Sequence, residues 1–276
     1  MQLRFLKMEG AGNRILVVDG RREAAPPPAA DTIRRLGDEA TGPGFDQLMW
    51  LAPATANDAA LSYRVFNADG SEVEQCGNGV RCVAWLLADE DGTRDELLLE
   101  GPVGPVRARV LPDGRVTVDM GRPRFAPEEI PFVAEREAPT YALEVDGEQL
   151  EVSVLSMGNP HCVLEVDDVE AAAVGRLGPL IERHERFPER VNAGFMQVVD
   201  RDRIALRVHE RGVGETLACG TGACAAVVAG SRLDRLDDEV AVDLPGGRLV
   251  VSWRRGDAPV WLTGSATFLS EGRIDV

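Results

Sequence analysis

Cys76 and Cys219 lie 143 positions apart, each framed as Cys-Gly-x-Gly and each followed by an apolar run. That setting puts a thiol where a helix should begin. Unpaired backbone N–H groups and the positive end of a helix dipole lower a thiol pKa toward neutrality there, and can also hold a carboxylate. Two matched thiols suit a reaction that needs a base on one face of a carbon and an acid on the other. One thiolate removes the Cα proton of an α-amino acid, and the opposite thiol delivers a proton to the other face. The chemistry implied is racemisation or epimerisation. One such cysteine alone reads as buried packing; two in matched Gly-framed turns do not.

The match extends beyond the thiols. RVFNADGSEVEQCGNG (64–79) and RVHERGVGETLACGTG (207–222) align without a gap at Arg64/Arg207, Val65/Val208, Glu72/Glu215, Cys76/Cys219, Gly77/Gly220 and Gly79/Gly222. The same offset pairs Pro102 with Pro245, Gly104 with Gly247, Gly121 with Gly264 and Phe125 with Phe268. A register held over that span predicts a duplicated domain.

Other side chains carry weaker signals. His161, in VLSMGNPHCV, can tune or relay protons to a thiol because imidazole titrates near working pH, although a lone histidine is more often structural. Glu210-Arg211 can grip an ammonium and a carboxylate, or be an ordinary solvated pair. Asn13, Gln47, Asn67, Asn78 and Asn192 lie in or beside turns, where amides commonly satisfy local backbone. Cys82, Cys162 and Cys224 read as packing, and His184 as a surface residue on a polar helix. A Cys76–Cys219 disulfide or a metal site competes for the thiols. The cysteines lack Cys-x-x-Cys spacing and the chain has three histidines, so no metal ligand set is assigned.

These residues need elements to hold them. LRFLKMEGAGNRILVVDG predicts strand, Gly-rich turn, strand. Asp31 reads as the N-cap of a short helix with Ile33 and Leu36 on its apolar face. Leu61 to Asn67 is strand-like and followed by the turn Asp69-Gly70. Val80 to Ala88 and Ala223 to Gly230 are apolar almost all round, which predicts two buried helices. Alternating segments follow in both halves, at 106–110 and 116–120 and again at 249–253 and 260–263. The fold class predicted is α/β (α+β): many strands around one central buried helix, twice.

A formal charge of −16 and a pI near 4.7 argue against nucleic-acid or anionic-membrane partners. Five cysteines, two of them in Gly-rich turns, suit free thiols in a reducing cytoplasm. The opening residues lack a signal peptide's apolar core, and no stretch reaches membrane-spanning length. Neither GxxxxGK[ST] nor GxGxxG follows a strand, and Lys7 is the only lysine available for a pyridoxal phosphate Schiff base. An amino-acid epimerase built on this chain works without a cofactor.

KMEGAGN, GFDQ, FNADGSEVEQCGNGVRC, SMGNPHCV, FPERVN and ERGVGETLACGTGACAA occur in the order seen in diaminopimelate epimerases, and the resemblance covers nearly the whole chain. It implies interconversion of LL- and meso-2,6-diaminopimelate in lysine and peptidoglycan precursor synthesis. It also implies two pseudo-symmetric domains, each a strongly curved, mostly antiparallel sheet around a central helix, with the active site in the cleft between them, and usually a homodimer. Domain limits of 1–121, completed by 266–276, and 122–265 are expected. Carried over motif by motif, Cys76 and Cys219 become the acid/base thiols, and His161 and Glu210 adjust their ionisation. Substrate contacts fall on Asn13, Gln47, Asn67, Gly77, Asn78, Asn159, Asn192, Glu210, Arg211, Gly220 and Thr221. The family usually has Asp-Phe after the first asparagine, where this chain has Arg14-Ile15.

A proline or hydroxyproline epimerase of the same architecture is the nearest rival. Such relatives typically carry histidine within the first Cys-Gly turn, where this chain has Asn78, and Glu210-Arg211 favours a larger charged substrate. A thiol redox or binding protein, and a non-catalytic domain keeping the fold, are the alternatives from other classes.

Overall fold

Period-two alternation and Gly-punctuated turns decide most of the architecture, over the residues that the computed structural model describes: 2–22, 25–74, 76–92 and 96–275. Two units form, Met1–Asp119 with Thr263–Val276, and Met120–Leu262. The first runs β1 (Gln2–Gly10), β2 (Asn13–Asp19), α1 (Ala30–Gly37), β3 (Gln47–Ala52), β4 (Leu61–Asn67), β5 (Glu72–Val73), α2 (Gly77–Asp91), β6 (Leu97–Gly101), β7 (Gly104–Val110) and β8 (Val116–Asp119). The second runs β9 (Tyr141–Val145), β10 (Glu148–Ser156), β11 (Pro160–Glu165), α3 (Val174–Glu182), β12 (Asn192–Asp200), β13 (Arg203–Glu210), β14 (Gly214–Thr216), α4 (Gly220–Arg232), β15 (Glu239–Leu244) and β16 (Gly247–Ser252). The chain then passes through β17 (Trp261–Gly264) to β18 (Thr267–Asp275), which pairs antiparallel with β1.

The same circuit is drawn twice. In the first unit β2 runs parallel to β3, β3 antiparallel to β4, and β4 folds back on β5 while running parallel to β6. In the second, β11 runs parallel to β12, β12 antiparallel to β13, and β13 folds back on β14 while running parallel to β15. Antiparallel hairpins such as β6–β7, β9–β10 and β15–β16 flank these circuits.

Each circuit wraps a helix that is largely apolar and buried. α2 packs on β1, β2, β3, β7 and β8, and α4 on β10, β11, β12, β13 and β16. Val80, Cys82, Val83 and Leu86 are buried in α2, and Ala225, Val227 and Val228 in α4. A large aliphatic side chain removed from water in this way contributes roughly 1.5–3 kcal/mol. Close approach marks the helix start: a Cβ on Gly79 would stand 2.3 Å from Met49 Sδ and force that side chain to shift. Ile33 and Leu36 of α1 join Leu16, Leu48, Trp50 and Phe66 in one core; Phe132, Leu143, Val154, Ile181 and Phe195 build the other.

Two local expectations are corrected. Asp31 lies inside the first turn of α1 and pairs with Arg34; Ala29 occupies the cap position and makes no side-chain capping bond. His184 stands beyond the end of α3, half-buried, with Nε2 at 3.0 Å from the Glu144 carbonyl oxygen. Among the described residues no helix is long and apolar enough to cross a membrane.

Candidate active site

In the first unit the parallel and antiparallel registers line up three amide side chains beside a thiol. Gln47, at the start of β3, pairs in register with Ile15 of β2 and with Asn67 at the end of β4. Its Oε1 accepts from Asn13 Nδ2 at 3.4 Å, and its Nε2 donates to Asn67 Oδ1 at 3.1 Å. Cys76 caps α2 in extended conformation, and its thiol donates to the same Gln47 Oε1 at 2.6 Å. The Gly79 N–H donates to the Cys76 sulfur at 3.1 Å, a contact that stabilises negative charge on sulfur. Asn67 is itself held by Ser71, which donates to Asp69. Asn13 Oδ1 is buried and accepts no hydrogen bond among the described residues, which leaves an acceptor suited to an ammonium.

Gly77 and Asn78 form the buried first turn of α2. Asn78 Oδ1 accepts from Arg81 Nη2 at 2.8 Å. The Arg14-Ile15 departure is absorbed locally. Ile15 is fully buried, while Arg14 donates from its backbone to Asp46 Oδ2 at 2.7 Å and pairs through its side chain with Asp46 and Glu39. This ties the Asn13 turn to the entry of β3, so Asn13 stays beside Gln47.

The second unit repeats the frame with different chemistry. Cys219 caps α4 but makes no capping hydrogen bond through sulfur; its Sγ lies 3.6 Å from Thr221 Oγ1. Asn159 Nδ2 donates to Thr221 Oγ1 at 3.3 Å, and His161 Nε2 lies 2.9 Å from Asn159 Oδ1. His161, Asn159, Thr221 and Cys219 thus form one chain of contacts, with the ring nitrogen donating to the amide oxygen. Asn192, paired in register with His161, bonds the Pro160 carbonyl through Nδ2 at 3.0 Å and receives the Arg211 N–H on Oδ1 at 2.9 Å. Gly220 opens α4 beside Thr221.

Electrostatics separates the two thiols. Cys219 is pushed well above the ordinary thiol range, first by burial and then by the charge of Glu210, which also accepts from the thiol; Thr221 and the Gly222 amide oppose this and lose. Thr216 Oγ1 donates to Glu210 Oε1 at 2.5 Å and holds the carboxylate in place. Helix-end lowering of this thiol, expected from its position, is therefore overridden. Both sulfur residues are buried, Cys76 at 8% and Cys219 at 4% exposure. Burial, then the charge of Arg211, pushes His161 down to about 3, which favours the neutral imidazole that donates to Asn159.

Several contributors carried no sequence signal of their own. Glu182 on α3 is buried; its Oε2 lies 3.1 Å from His209 Nε2 and its Oε1 accepts the Gly212 N–H at 3.0 Å. It clamps the hairpin that carries Glu210 and Arg211. Close packing of α3 on that hairpin requires Gly178, where a Cβ would stand 2.7 Å from His209. The gapless offset does flag one contributor: Arg64–Glu72 and Arg207–Glu215 are bidentate pairs at equivalent places, each pinning the hairpin that leads to a cysteine. No group of three or more His, Cys, Asp or Glu suited to a metal is found among the described residues.

The family model for diaminopimelate epimerase matches residues 5–126 and 153–269. The chain is 52% identical to the diaminopimelate epimerase of Thioalkalivibrio sulfidiphilus over 100% of both chains. It is also 52% identical to that of Stutzerimonas stutzeri over 99% of both. Among solved structures, a probable proline racemase from Agrobacterium radiobacter matches with a TM-score of 0.71 at 17% identity, covering 99% of this chain and 93% of that one. A hydroxyproline epimerase from Agrobacterium vitis matches with a TM-score of 0.70 at 16% identity, covering 99% and 92%; at such identities the likeness is one of fold. The match to the family model and the identity to full-length relatives agree with the paired Cys-Gly-x-Gly turns, and this chain belongs to the diaminopimelate epimerase family.

Proposed function

We propose that this protein interconverts LL- and meso-2,6-diaminopimelate by a cofactor-independent two-thiol mechanism. The observation that carries the reading is an inequality between matched thiols. Cys219 is held as a thiol beside the Glu210 carboxylate, whereas Cys76 meets the neutral amide of Gln47. One proton removal and one proton return need such a pair in opposite states.

In one direction the Cys76 thiolate takes the Cα proton, becoming S–H, and Cys219 gives its proton to the opposite face, becoming thiolate. The electron pair left on Cα delocalises into the substrate carboxylate, where helix-start N–H groups stabilise the developing charge. In the other direction the roles reverse. Glu210 raises the cost of the Cys219 thiolate until substrate binds; His161, through Asn159 and Thr221, keeps the hydroxyl next to Cys219 oriented. Asn13, Gln47, Asn67, Asn78, Asn159, Asn192 and Arg211 supply polar contacts for a substrate with two amino-acid centres. Action in lysine and peptidoglycan precursor synthesis, in the cytoplasm and as a homodimer, completes the reading.

The test is incubation of the reduced protein with LL-diaminopimelate in deuterated water. Expected are the meso isomer with deuterium at Cα, and loss of turnover by about a thousandfold or more in folded Cys76→Ala and Cys219→Ala. Conversion of proline or hydroxyproline in place of diaminopimelate would overturn the substrate, and full activity in either alanine variant would overturn the mechanism.

A further inference from the structure

Arg81 is the charged residue that the apolar character of α2 does not explain. It lies in the second turn of the helix with 0% exposure. A cation this close to a helix N-terminus works against the dipole, and burial adds a desolvation cost. The guanidinium is nevertheless held: Nη2 donates to Asn78 Oδ1 at 2.8 Å and Nε to the Ser265 carbonyl at 3.1 Å. Space is reserved for it as well. A Cβ on Gly10 would stand 3.1 Å from Arg81 Nη2 and 3.4 Å from the Asn78 carbonyl oxygen. The equivalent of Arg81 under the 143-residue offset is Cys224, buried and uncharged. The duplication therefore carries a charge exchange. The first unit has a buried cation and the neutral Asn67 where the second has neutral Cys224 and the anionic Glu210.

We propose that Arg81 is a positioning residue for Cys76: its grip on Asn78 fixes the turn whose Gly79 N–H meets the sulfur, and its buried charge favours the Cys76 thiolate. The inference deepens, and rests on, the epimerase reading, in which one thiol begins as the base. Neighbouring ionisable groups agree with a shared electrostatic environment. Cys82 on α2 is pushed up to about 12, chiefly by burial, and responds to Arg81 in one direction and to Cys76 and Glu9 of β1 in the other. Tyr63 on β4 is raised by burial and then by charge at Cys76. Glu210 raising the cost of one thiolate and Arg81 lowering that of the other bias the pair in the same sense.

The experiment is a 13C NMR titration of the full-length, reduced protein labelled at cysteine Cβ, with the Cys76 signal assigned by its loss in Cys76→Ala. It reads ionisation of a buried sulfur without reagent access. In Arg81→Gln the Cys76 midpoint should rise by about one unit or more, and in Arg81→Lys it should stay near wild type. The acid limb of kcat/KM, which reports the free enzyme, should move up by the same amount, with KM changed less than kcat. Equal midpoints in the three folded proteins would overturn the inference. Should Arg81→Gln not fold, Asn78→Ala removes the acceptor that holds the guanidinium without adding a charge; a raised Cys76 midpoint supports the inference and an unchanged one overturns it. An Arg81-dependent titration in a protein that epimerises nothing would support the electrostatic assignment and sink the epimerase reading instead.

Discussion

The two thiol turns share a backbone and differ in what surrounds the sulfur. Cys76 and Cys219 both cap a buried helix in extended conformation, and both follow a hairpin pinned by an Arg–Glu pair. Around Cys76 stand amide side chains, an N–H aimed at sulfur and a buried guanidinium one turn on. Around Cys219 stand a carboxylate, a hydroxyl, the matching Gly222 N–H and, three contacts away, a neutral imidazole. Duplication supplied two helix starts; substitutions at Asn67/Glu210 and Arg81/Cys224 made them unequal. The two-thiol mechanism proposed above needs that inequality, because two identical thiols would both be protonated or both be charged over most of the pH range.

Among changes that leave both thiols in place, the largest effect should come from making the second site resemble the first. Glu210→Gln removes the charge that ranks just behind burial in raising Cys219. With the carboxylate gone the Cys219 pKa falls, so the thiol is lost at lower pH and the alkaline limb of the pH–rate profile moves down by about one unit. Loss of the poised acid should cost about a hundredfold in kcat/KM for LL-diaminopimelate. A profile whose alkaline limb matches wild type would break the comparison, since Glu210 would then not govern the acid.

A second difference lies just outside the thiols. Phe66, next to Asn67, is packed into the first unit's core, whereas its offset partner His209, next to Glu210, faces the buried Glu182 carboxylate. Burial alone would raise Glu182, but hydrogen bonds from His209 and the Gly212 amide prevail and its pKa is lowered. A carboxylate lowered on folding contributes stability above its unfolded pKa of about 4.3 and loses it as pH falls through the folded value. Glu182→Ala should therefore cost about 2 kcal/mol near neutral pH, with the gap to wild type closing below about pH 4. Urea midpoints at the two pH values check this. KM should rise as well, because the clamp orients Arg211; an unchanged KM at reduced stability would leave Glu182 with a structural role only.

How much of this could be seen beforehand depends on the distance over which each feature is determined. Helix and strand placement, the duplicated frame and the thiols at helix starts follow from local pattern, and 64–79 against 207–222 displays them directly. The ionisation of Cys219 does not. Glu210 lies nine positions upstream, and only the β13–β14 fold-back brings its carboxylate to the sulfur. His161 misleads for the same reason: its ordinary pKa is a property of water, and 1% exposure removes the water. Arg81 gives no signal inside an apolar run, because one charge reads there only as an interruption of the pattern. Asn13, Gln47 and Asn67 were individually ordinary; pairing of β2, β3 and β4 makes them a row.

The smallest effects separate the two duplicated ion pairs. Arg64 and Glu72 are 47% and 40% exposed, and solvent screening leaves such a pair about 0.5 kcal/mol even with bidentate geometry. Arg207 and Glu215 are less exposed, and Arg207 Nη1 also donates to the Val169 and Glu170 carbonyls at 3.1 and 3.3 Å, in the segment leading to α3. Removing Arg207 breaks the hairpin pin and leaves those carbonyls to find other donors, so Arg207→Ala should cost about 2 kcal/mol against about 0.5 kcal/mol for Arg64→Ala. High salt should narrow the cost at Arg64 more than at Arg207, because screening acts on the exposed pair and barely on the carbonyl contacts. Equal costs for the two alanine variants, with equal salt dependence, would mean that the duplicated pairs are interchangeable. The asymmetry of the two halves would then be confined to the residues touching the thiols.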